Sequence, residues 1–458
     1  MITPLTLTKK NNMLNSSTIA AISTPPGKGG VAVIRISGDD ALSVGEKIFR
    51  PKGKPIRDRA PRTQIFGYIL SGGEEIDDGL LTYFPENSSY TGEQTIEISC
   101  HGGILITKAV LEAALTAGAR HAEPGEFTKR AFMNGRLSLT DTEAIGLLLE
   151  AESEAQIKLT RKASRSALDN AIEGIRESLT SLLSSIYARI DYPDEDLGDY
   201  TDSELCDGLA SVISKMDLLL NTYRTGKAVT EGVKTVIAGK PNVGKSSLYN
   251  LLAGYDAAIV TDIPGTTRDT VEDTLVLGGM LFRFIDTAGM RQTDDTIESL
   301  GIERSRQATQ RAAVIIHLQD ATQPVDILSQ IEDIQDKTII HIYNKVDLVP
   351  GFMARENSIG ISAKNGEVEA IKQQLVALAA EQYDTRNAVT ISNTRHYEAL
   401  VRALEAIKRV QEGLQMQISG EFLSMDLQDC LAALGEITGQ ITSQEVLNTI
   451  FGKFCIGK

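Results

Sequence analysis

Val233-Lys234-Thr235-Val236-Ile237-Ala238-Gly239-Lys240-Pro241-Asn242-Val243-Gly244-Lys245-Ser246 decides the fold. The first six residues are a β-branched, largely apolar run, the pattern of a strand buried on both faces of a parallel sheet. Gly239–Ser246 is then G-x-x-x-x-G-K-S, and Ser247-Leu248-Tyr249-Asn250-Leu251-Leu252 opens a helix. Strand, glycine-bounded loop and helix N-terminus together turn backbone N–H groups towards one point, a phosphate cradle. There Lys245 reaches the β- and γ-phosphates and Ser246 gives its hydroxyl to Mg²⁺, with Asn242, Val243, Gly244 and Ser247 completing the loop.

Four later stations stand in the order that a guanine-nucleotide switch requires. Thr261-Asp262-Ile263-Pro264-Gly265-Thr266-Thr267-Arg268-Asp269 supplies a threonine, Thr267, as second protein ligand to Mg²⁺ when the γ-phosphate is present. Arg268 and Asp269 join Thr267 and Lys245 as catalytic candidates. The strand-like Leu281–Ile285 delivers Asp286-Thr287-Ala288-Gly289, with Asp286 near the Mg²⁺ shell and the Gly289 N–H at the γ-phosphate. Ile339–Tyr343 runs into Asn344-Lys345-Val346-Asp347, whose carboxylate can accept from both the guanine N1–H and the 2-amino group; adenine lacks that donor pair. Ser362-Ala363-Lys364, after the strand-like Ser358–Ile361, provides the remaining base contact. One position departs from the small signalling GTPases: Met290 follows Asp286-x-x-Gly289, and a thioether cannot orient water as their glutamine does. Arg291, Asp294, Asp295 and Glu298 are the polar groups nearby.

Outward from this block, the texture of the chain changes twice. Residues 1–17 read as a disordered or weakly attached extension. From Thr18 come strand-like runs at Thr18–Ile22, Val31–Ile36, Gln64–Leu70, Gly79–Phe84 and Thr95–Cys100, with a helix over Gly103–Ala117, an α+β domain ending at Arg136. Helical periodicity occupies Leu137 to about Thr225 and returns at Thr394–Gln417 and Met425–Leu434. The expected domains are 18–136, a helical part at 137–231, the nucleotide block at 232–383 and a second helical part at 384–458. The α/β block is thus inserted into a discontinuous helical domain.

Several tempting features take plainer readings. Pro25–Gly30 is a turn, since no G-K-[ST] follows. Cys100 and His101 are adjacent on a strand and so point to opposite faces. The basic run Arg50–Arg59 is a solvated loop, Asp191–Asp199 a polar interhelical loop, and Lys158, Arg161, Lys162 and Arg165 a solvated helix face. The 458 residues are 42% hydrophobic and 23% charged, ordinary for a globular chain, and no apolar run reaches the ~18 residues of a membrane span. Cys100, Cys206, Cys430 and Cys455 form no C-x-x-C pair, which fits reduced thiols in a cytoplasmic protein. With 61 acidic against 46 basic residues the net charge is −15, so nucleic acid is met through a local patch or a basic partner.

The sequence resembles the tRNA modification GTPase MnmE (TrmE) family from residue 18 to the end. The residues that carry the likeness are G-K-P-N-V-G-K-S, T-D-I-P-G-T-T-R-D, D-T-A-G, N-K-V-D and the terminal C-I-G-K. The upstream A-V-I-R-I-S-G, S-Y-T-G-E and G-E-F-T-K-R-A-F-M-N-G-R-L belong to the same pattern. The resemblance implies a folate-binding N-terminal domain that builds a homodimer, a discontinuous helical domain and an inserted Ras-like P-loop GTPase domain. It implies 5-formyl- or methylene-tetrahydrofolate at positions matching Arg35, Glu97, Arg136 and Lys458, with Cys455 beside them as a candidate reactive thiol. It also implies a K⁺ site at Asn242, Thr261, Ile263 and Thr266, and Glu298 as the water-orienting residue that fills the gap left by Met290. The family works with the FAD-dependent protein MnmG (GidA), as a heterotetramer, on C5 of the tRNA wobble uridine, adding an aminomethyl or carboxymethylaminomethyl group. Two rivals share the nucleotide motifs: an Era- or Der-like ribosome-assembly GTPase, and a mechanical dimerising GTPase without small-molecule chemistry. The single nucleotide domain, the acidic charge and the C-I-G-K end speak against the first of these.

Overall fold

In a computed structural model, the residues described are 17–163, 167–191, 202–255, 273–285, 307–328, 334–383 and 389–457. The chain divides into two compact units, each assembled from separated stretches. One comprises Met1–Gly146, Ile172–Asp194 and Ile418–Lys458; the other comprises Leu147–Ala171 and Glu195–Gln417. These limits do not follow the boundaries expected at 136/137, 231/232 and 383/384. Helix Asp202–Asn221 packs on helix Thr394–Gln415 inside the same unit as the nucleotide sheet, so contacts cut across the change of texture in the sequence.

The first unit is built on strands β1 (Ile19–Ile22), β2 (Val31–Ser37), β3 (Phe49–Pro51), β4 (Gln64–Ser71), β5 (Glu74–Phe84), β6 (Thr95–His101) and β7 (Arg120–His121). They lie in the order β3-β4-β5-β6-β2-β1-β7, antiparallel except for the β1–β7 pair. Alternation along β2 sends Ala32, Ile34 and Ile36 to one face, where they pack with Ile96 and Ile98 of β6. Helices Ala41–Ile48 and Ile104–Thr116 cover that face with Ala41, Val44, Ile48, Val110, Leu111 and Ala114. The other face of β2 and β6 carries Arg35 and Glu97. Arg120 and Arg130 bond Ser17, which anchors the chain one residue before the expected start of order.

Among the described residues of this unit, three short helices are not expected from sequence periodicity: Ala41–Ile48, Glu126–Met133 and Gln444–Phe451. The last two meet through Phe132, Leu447 and Phe451, joined by Leu139 of helix Leu139–Leu149, with the Phe132 and Phe451 rings 6.3 Å apart. Phe454 continues the cluster at 6.1 Å from Phe451, so the C-terminal stretch is packed against the N-terminal part of its unit.

In the second unit, β8 (Val233–Ala238), β9 (Asp273–Leu277), β10 (Met280–Phe284), β11 (Val314–Asp320), β12 (Thr338–Asn344) and β13 (Ser358–Gly360) form a sheet in the order β13-β12-β11-β8-β10-β9. Only β9 runs antiparallel to its neighbour. Helices cover both faces, which explains why β8, β11 and β12 read as nearly continuous apolar runs. Leu248, Tyr249 and Leu252 of helix Lys245–Tyr255, with Ile371, Leu375 and Ala379 of helix Glu369–Gln382, fill one side. Ala308 and Ala312 pack on Val236, Ala238 and Ile315 on the other. Successive strands proceed outward from β8 in both directions, β10 on one side and β11 on the other, so the carboxyl end of β8 is the topological switch point where α/β sheets bind ligands.

Candidate functional site: a nucleotide crevice at the switch point

The loop Gly239–Gly244 leaves β8 at that point and enters helix Lys245–Tyr255 directly. Asn242 and Gly244 both take left-handed backbone, φ 62° and 101°. A side chain at Gly244 would run into the Asn344 amide, so glycine is required by both its backbone and its neighbour. The Lys245 ammonium folds over the loop and donates to the carbonyls of Gly239 (2.8 Å) and Lys240 (2.9 Å). Exposed Ser247 and half-buried Ser246 begin the helix.

Asn344, at the end of β12, ties the stations together. It is nearly fully buried; its Nδ2 donates to the Val243 carbonyl (2.8 Å) and its Oδ1 accepts from the Ala363 N–H (2.9 Å). Phosphate loop, N-K-V-D turn and S-A-K turn are thereby one hydrogen-bonded body. Lys345, also left-handed at φ 65°, donates from Nζ to the Asn242 carbonyl (2.9 Å) and to Asp320 Oδ2 (2.6 Å). Asn344 and Lys345 hold loops, while the Asp347 carboxylate in the turn Val346–Leu348 is exposed. The Ser362 N–H donates to Glu367 Oε2 (2.8 Å), which sets the third turn beside exposed Lys364.

Asp320 and Glu367 are not among the residues expected from the sequence. Neither belongs to a motif; the signal for Asp320 was its position at the carboxyl end of the apolar strand Val314–Asp320, level with Asn344 in the ladder. Ile285, whose N–H bonds the Thr235 carbonyl (2.9 Å), is the last described residue before Asp286. Thr261–Asp269, Asp286–Gly289, Met290, Arg291, Asp294, Asp295, Glu298, Tyr192–Asp199, Arg165 and Lys458 lie outside the described residues.

In the first unit, Arg35 and Glu97 stand opposite each other on β2 and β6 and form an ion pair at 2.8 Å. The guanidinium lies 5.5 Å from the Tyr90 ring centroid and 5.7 Å from that of Phe127. The tail arrives close in the fold: Gly457 accepts from Ser23 Oγ (3.2 Å) just beyond β1, and the Cys455 carbonyl from the Gly125 N–H (3.5 Å). The Cys455 side chain is exposed. Arg136, also exposed, has its stem against Gly92, in the loop that carries Tyr90. A half-buried cation–carboxylate pair flanked by rings suits a flat heterocycle with hydrogen-bonding edges. Cys100 and His101 do diverge: Cys100 is buried, and burial, helped by the Asp77 charge, pushes its thiol up to about 11, whereas His101 is exposed and bonds Asp77. The Arg50–Arg59 segment is held by its own ion pairs, Arg50 to Glu75 and Arg57 to Glu46. Among the described residues, no helix is long and apolar enough to cross a membrane.

Two family profiles match the chain: "GTP-binding protein TrmE N-terminus" over residues 18–136 and "MnmE helical domain" over residues 139–455. The chain belongs to the tRNA modification GTPase MnmE family. A protein of Bacteroides fragilis described as tRNA modification GTPase MnmE is 40% identical over 470 aligned residues, spanning 97% of this chain and 100% of its own. Relatives of the same description from Porphyromonas gingivalis and Symbiobacterium thermophilum are each 39% identical and cover 97% of this chain. The P. gingivalis protein is spanned over 98% of its length and the S. thermophilum protein over 100%. Among solved structures, the G domain of the T. maritima FeoB iron transporter is similar over 32% of this chain and 98% of its own, at 22% identity and a TM-score of 0.25.

Proposed function

We propose that this chain is a K⁺-activated GTPase that, with the flavoprotein MnmG, modifies C5 of the wobble uridine of certain tRNAs using a tetrahydrofolate one-carbon donor. The observation that carries the GTPase half is the Asn344 junction, which joins the phosphate, base-reading and S-A-K turns at the sheet's switch point. In this reading Asp347 accepts from the guanine N1–H and 2-amino group, and Lys345 braces the phosphate loop. Lys245, freed from the loop carbonyls, neutralises β- and γ-phosphate charge. Ser246 and Thr267 hold Mg²⁺. Asn242, Thr261, Ile263 and Thr266 would hold K⁺, which would supply the positive charge that an arginine finger gives other GTPases. Glu298 orients the attacking water, since Met290 has no polar atom to do so.

The modification half rests on family membership together with the Arg35–Glu97 pair. Arg35, Glu97, Arg136 and Lys458 bind the folate in this reading, and the tetrahydrofolate supplies one carbon when bound. The working assembly is a cytoplasmic homodimer joined to MnmG, with 18–136 as folate and dimer domain, 232–383 as GTPase domain and 137–231 with 384–458 as helical domain. The test is GTP turnover by the purified chain in KCl and in NaCl at equal ionic strength, with ATP as control. Turnover of GTP but not ATP, faster by about tenfold or more in KCl, is expected, the range of ~10³ or more being what an arginine finger provides elsewhere. Equal rates in the two salts would remove the cation from the mechanism.

A further inference from the structure

Asp320 lies in no nucleotide motif, yet its carboxylate holds Lys345, two residues before the proposed base reader Asp347. We propose that Asp320 is a positioning residue for guanine selectivity: through Lys345 it fixes the turn that presents Asp347. The inference rests on the GTPase reading above and names a determinant of its specificity.

The geometry runs from strand to base reader. β11 and β12 are in parallel register with Asp320 level with Asn344, and the next N–H, of Ala321, donates to the Asn344 carbonyl (2.8 Å). Asp320 is itself fixed: Oδ1 accepts from the Thr322 N–H (2.9 Å) and from the Thr322 hydroxyl (2.6 Å). That leaves Oδ2 aimed at Lys345 Nζ, 2.6 Å away, while the same ammonium donates to the Asn242 carbonyl. Lys345 is thus anchored at two points, strand β11 and the phosphate loop. Its backbone is left-handed, which a non-glycine residue keeps only when its surroundings hold it there. The short turn begins from that residue: Leu348 N–H bonds the Lys345 carbonyl at 3.0 Å, and Asp347 lies between them in the chain. The direction of Asp347 therefore depends on the conformation of Lys345.

Exposed ion pairs contribute little. This one is largely enclosed, with the Asp320 and Lys345 side chains 18% and 33% exposed. Burial pushes the Asp320 carboxyl up, but the bonds from Lys345 and Thr322 outweigh it and hold the group below the ordinary carboxylate range, so it is charged at neutral pH.

The experiment measures affinity and dissociation of fluorescent GDP and IDP with the full chain and its Asp320→Ala and Asp320→Asn variants. IDP lacks the 2-amino group that Asp347 reads, so the GDP-to-IDP preference reports the placing of that carboxylate. Asp320→Ala is expected to release GDP about tenfold faster and to lower the GDP-to-IDP preference by about the same factor. Asp320→Asn, which keeps an acceptor of the same shape, is expected to recover part of both. A preference within twofold of the parent in Asp320→Ala overturns the proposal, and so does an equal loss of GDP and IDP affinity, which signals general loosening. Should Asp320→Ala fail to fold, an unchanged preference in Asp320→Asn together with an unchanged GDP release rate overturns it instead. Absence of guanine-nucleotide binding by the parent chain would refute the GTPase reading and is distinguishable from all of these.

Discussion

Glu126 keeps its charge inside the first unit, only 8% exposed, because three donors meet it. Burial alone would raise its pKa, but the Arg120 guanidinium, the Glu123 N–H and Arg130 together bring it down to about 2. A depressed carboxyl contributes stability that is present above its unfolded pKa and is lost as pH falls through its folded one. The loss therefore falls between about pH 4.5 and pH 2 and amounts to about 3 kcal/mol. His317, in the second unit, adds an earlier step. Its ring is buried beside His341, and burial brings it down to about 4. The unfolded chain then binds the extra proton, so stability falls from about pH 6.5 to 4. Urea unfolding between pH 7 and pH 3 should show both steps, and Glu126→Gln should be less stable at pH 7 but flatter below pH 4.5. A parallel loss in parent and variant across the acid range would show that the Glu126 network is not the cause. Residues of this kind were hard to see in the sequence. The roles proposed for Lys245 and Asp347 come from motifs, in which phosphate and guanine chemistry dictate a residue's identity at a fixed spacing. Glu126, Asp320 and Glu367 act by holding another group, and only the fold states which one.

At the scale of elements, length decided what could be read. Helix Thr394–Gln415 repeats Ala399, Leu400, Ala403, Leu404, Ala406, Ile407 and Val410 at helical spacing, and Asn393 caps it by accepting from the Arg395 N–H. Eight-residue helices such as Glu126–Met133 offer barely two turns, too few for a period to stand out. The tail Phe454–Gly457 carries no periodicity at all, and its placement comes from packing and one backbone conformation. Gly457 has φ 98°, and a side chain there would collide with the Ile22 carbonyl at the end of β1. Gly457→Ala thus faces both a left-handed strain of about 1 kcal/mol and a clash. Under the proposed function it should undock the tail and lower tRNA modification strongly, with GTP turnover within about twofold of the parent. Modified-nucleoside analysis of tRNA from cells carrying only the variant is the check. Full modification in those cells would mean that the docked tail is not part of the folate chemistry.

For the whole molecule, the nucleotide crevice and the Arg35–Glu97 pair belong to different compact units, the first assembled in Glu195–Gln417 and the second in Met1–Gly146. Under the proposed function the second is a folate site: a GTPase that only needed to hydrolyse would have no use for it, and a folate-dependent modifier would have no use for the first unless hydrolysis drives a conformational step. The proposed function therefore demands that the two be separable in one direction only. Removing the water-orienting group should stop both activities, because the modification step waits on the switch, whereas undocking the tail should stop modification alone. Glu298→Ala is the variant that tests this. It should bind GTP and GDP within about threefold of the parent, since the proposed function places binding on residues other than Glu298, yet lower turnover by two orders of magnitude or more, the scale of losing a positioned catalytic group. tRNA modification in cells should fall with it. Substantial turnover in Glu298→Ala would move the water-positioning role elsewhere, and full modification without turnover would uncouple the switch from the chemistry.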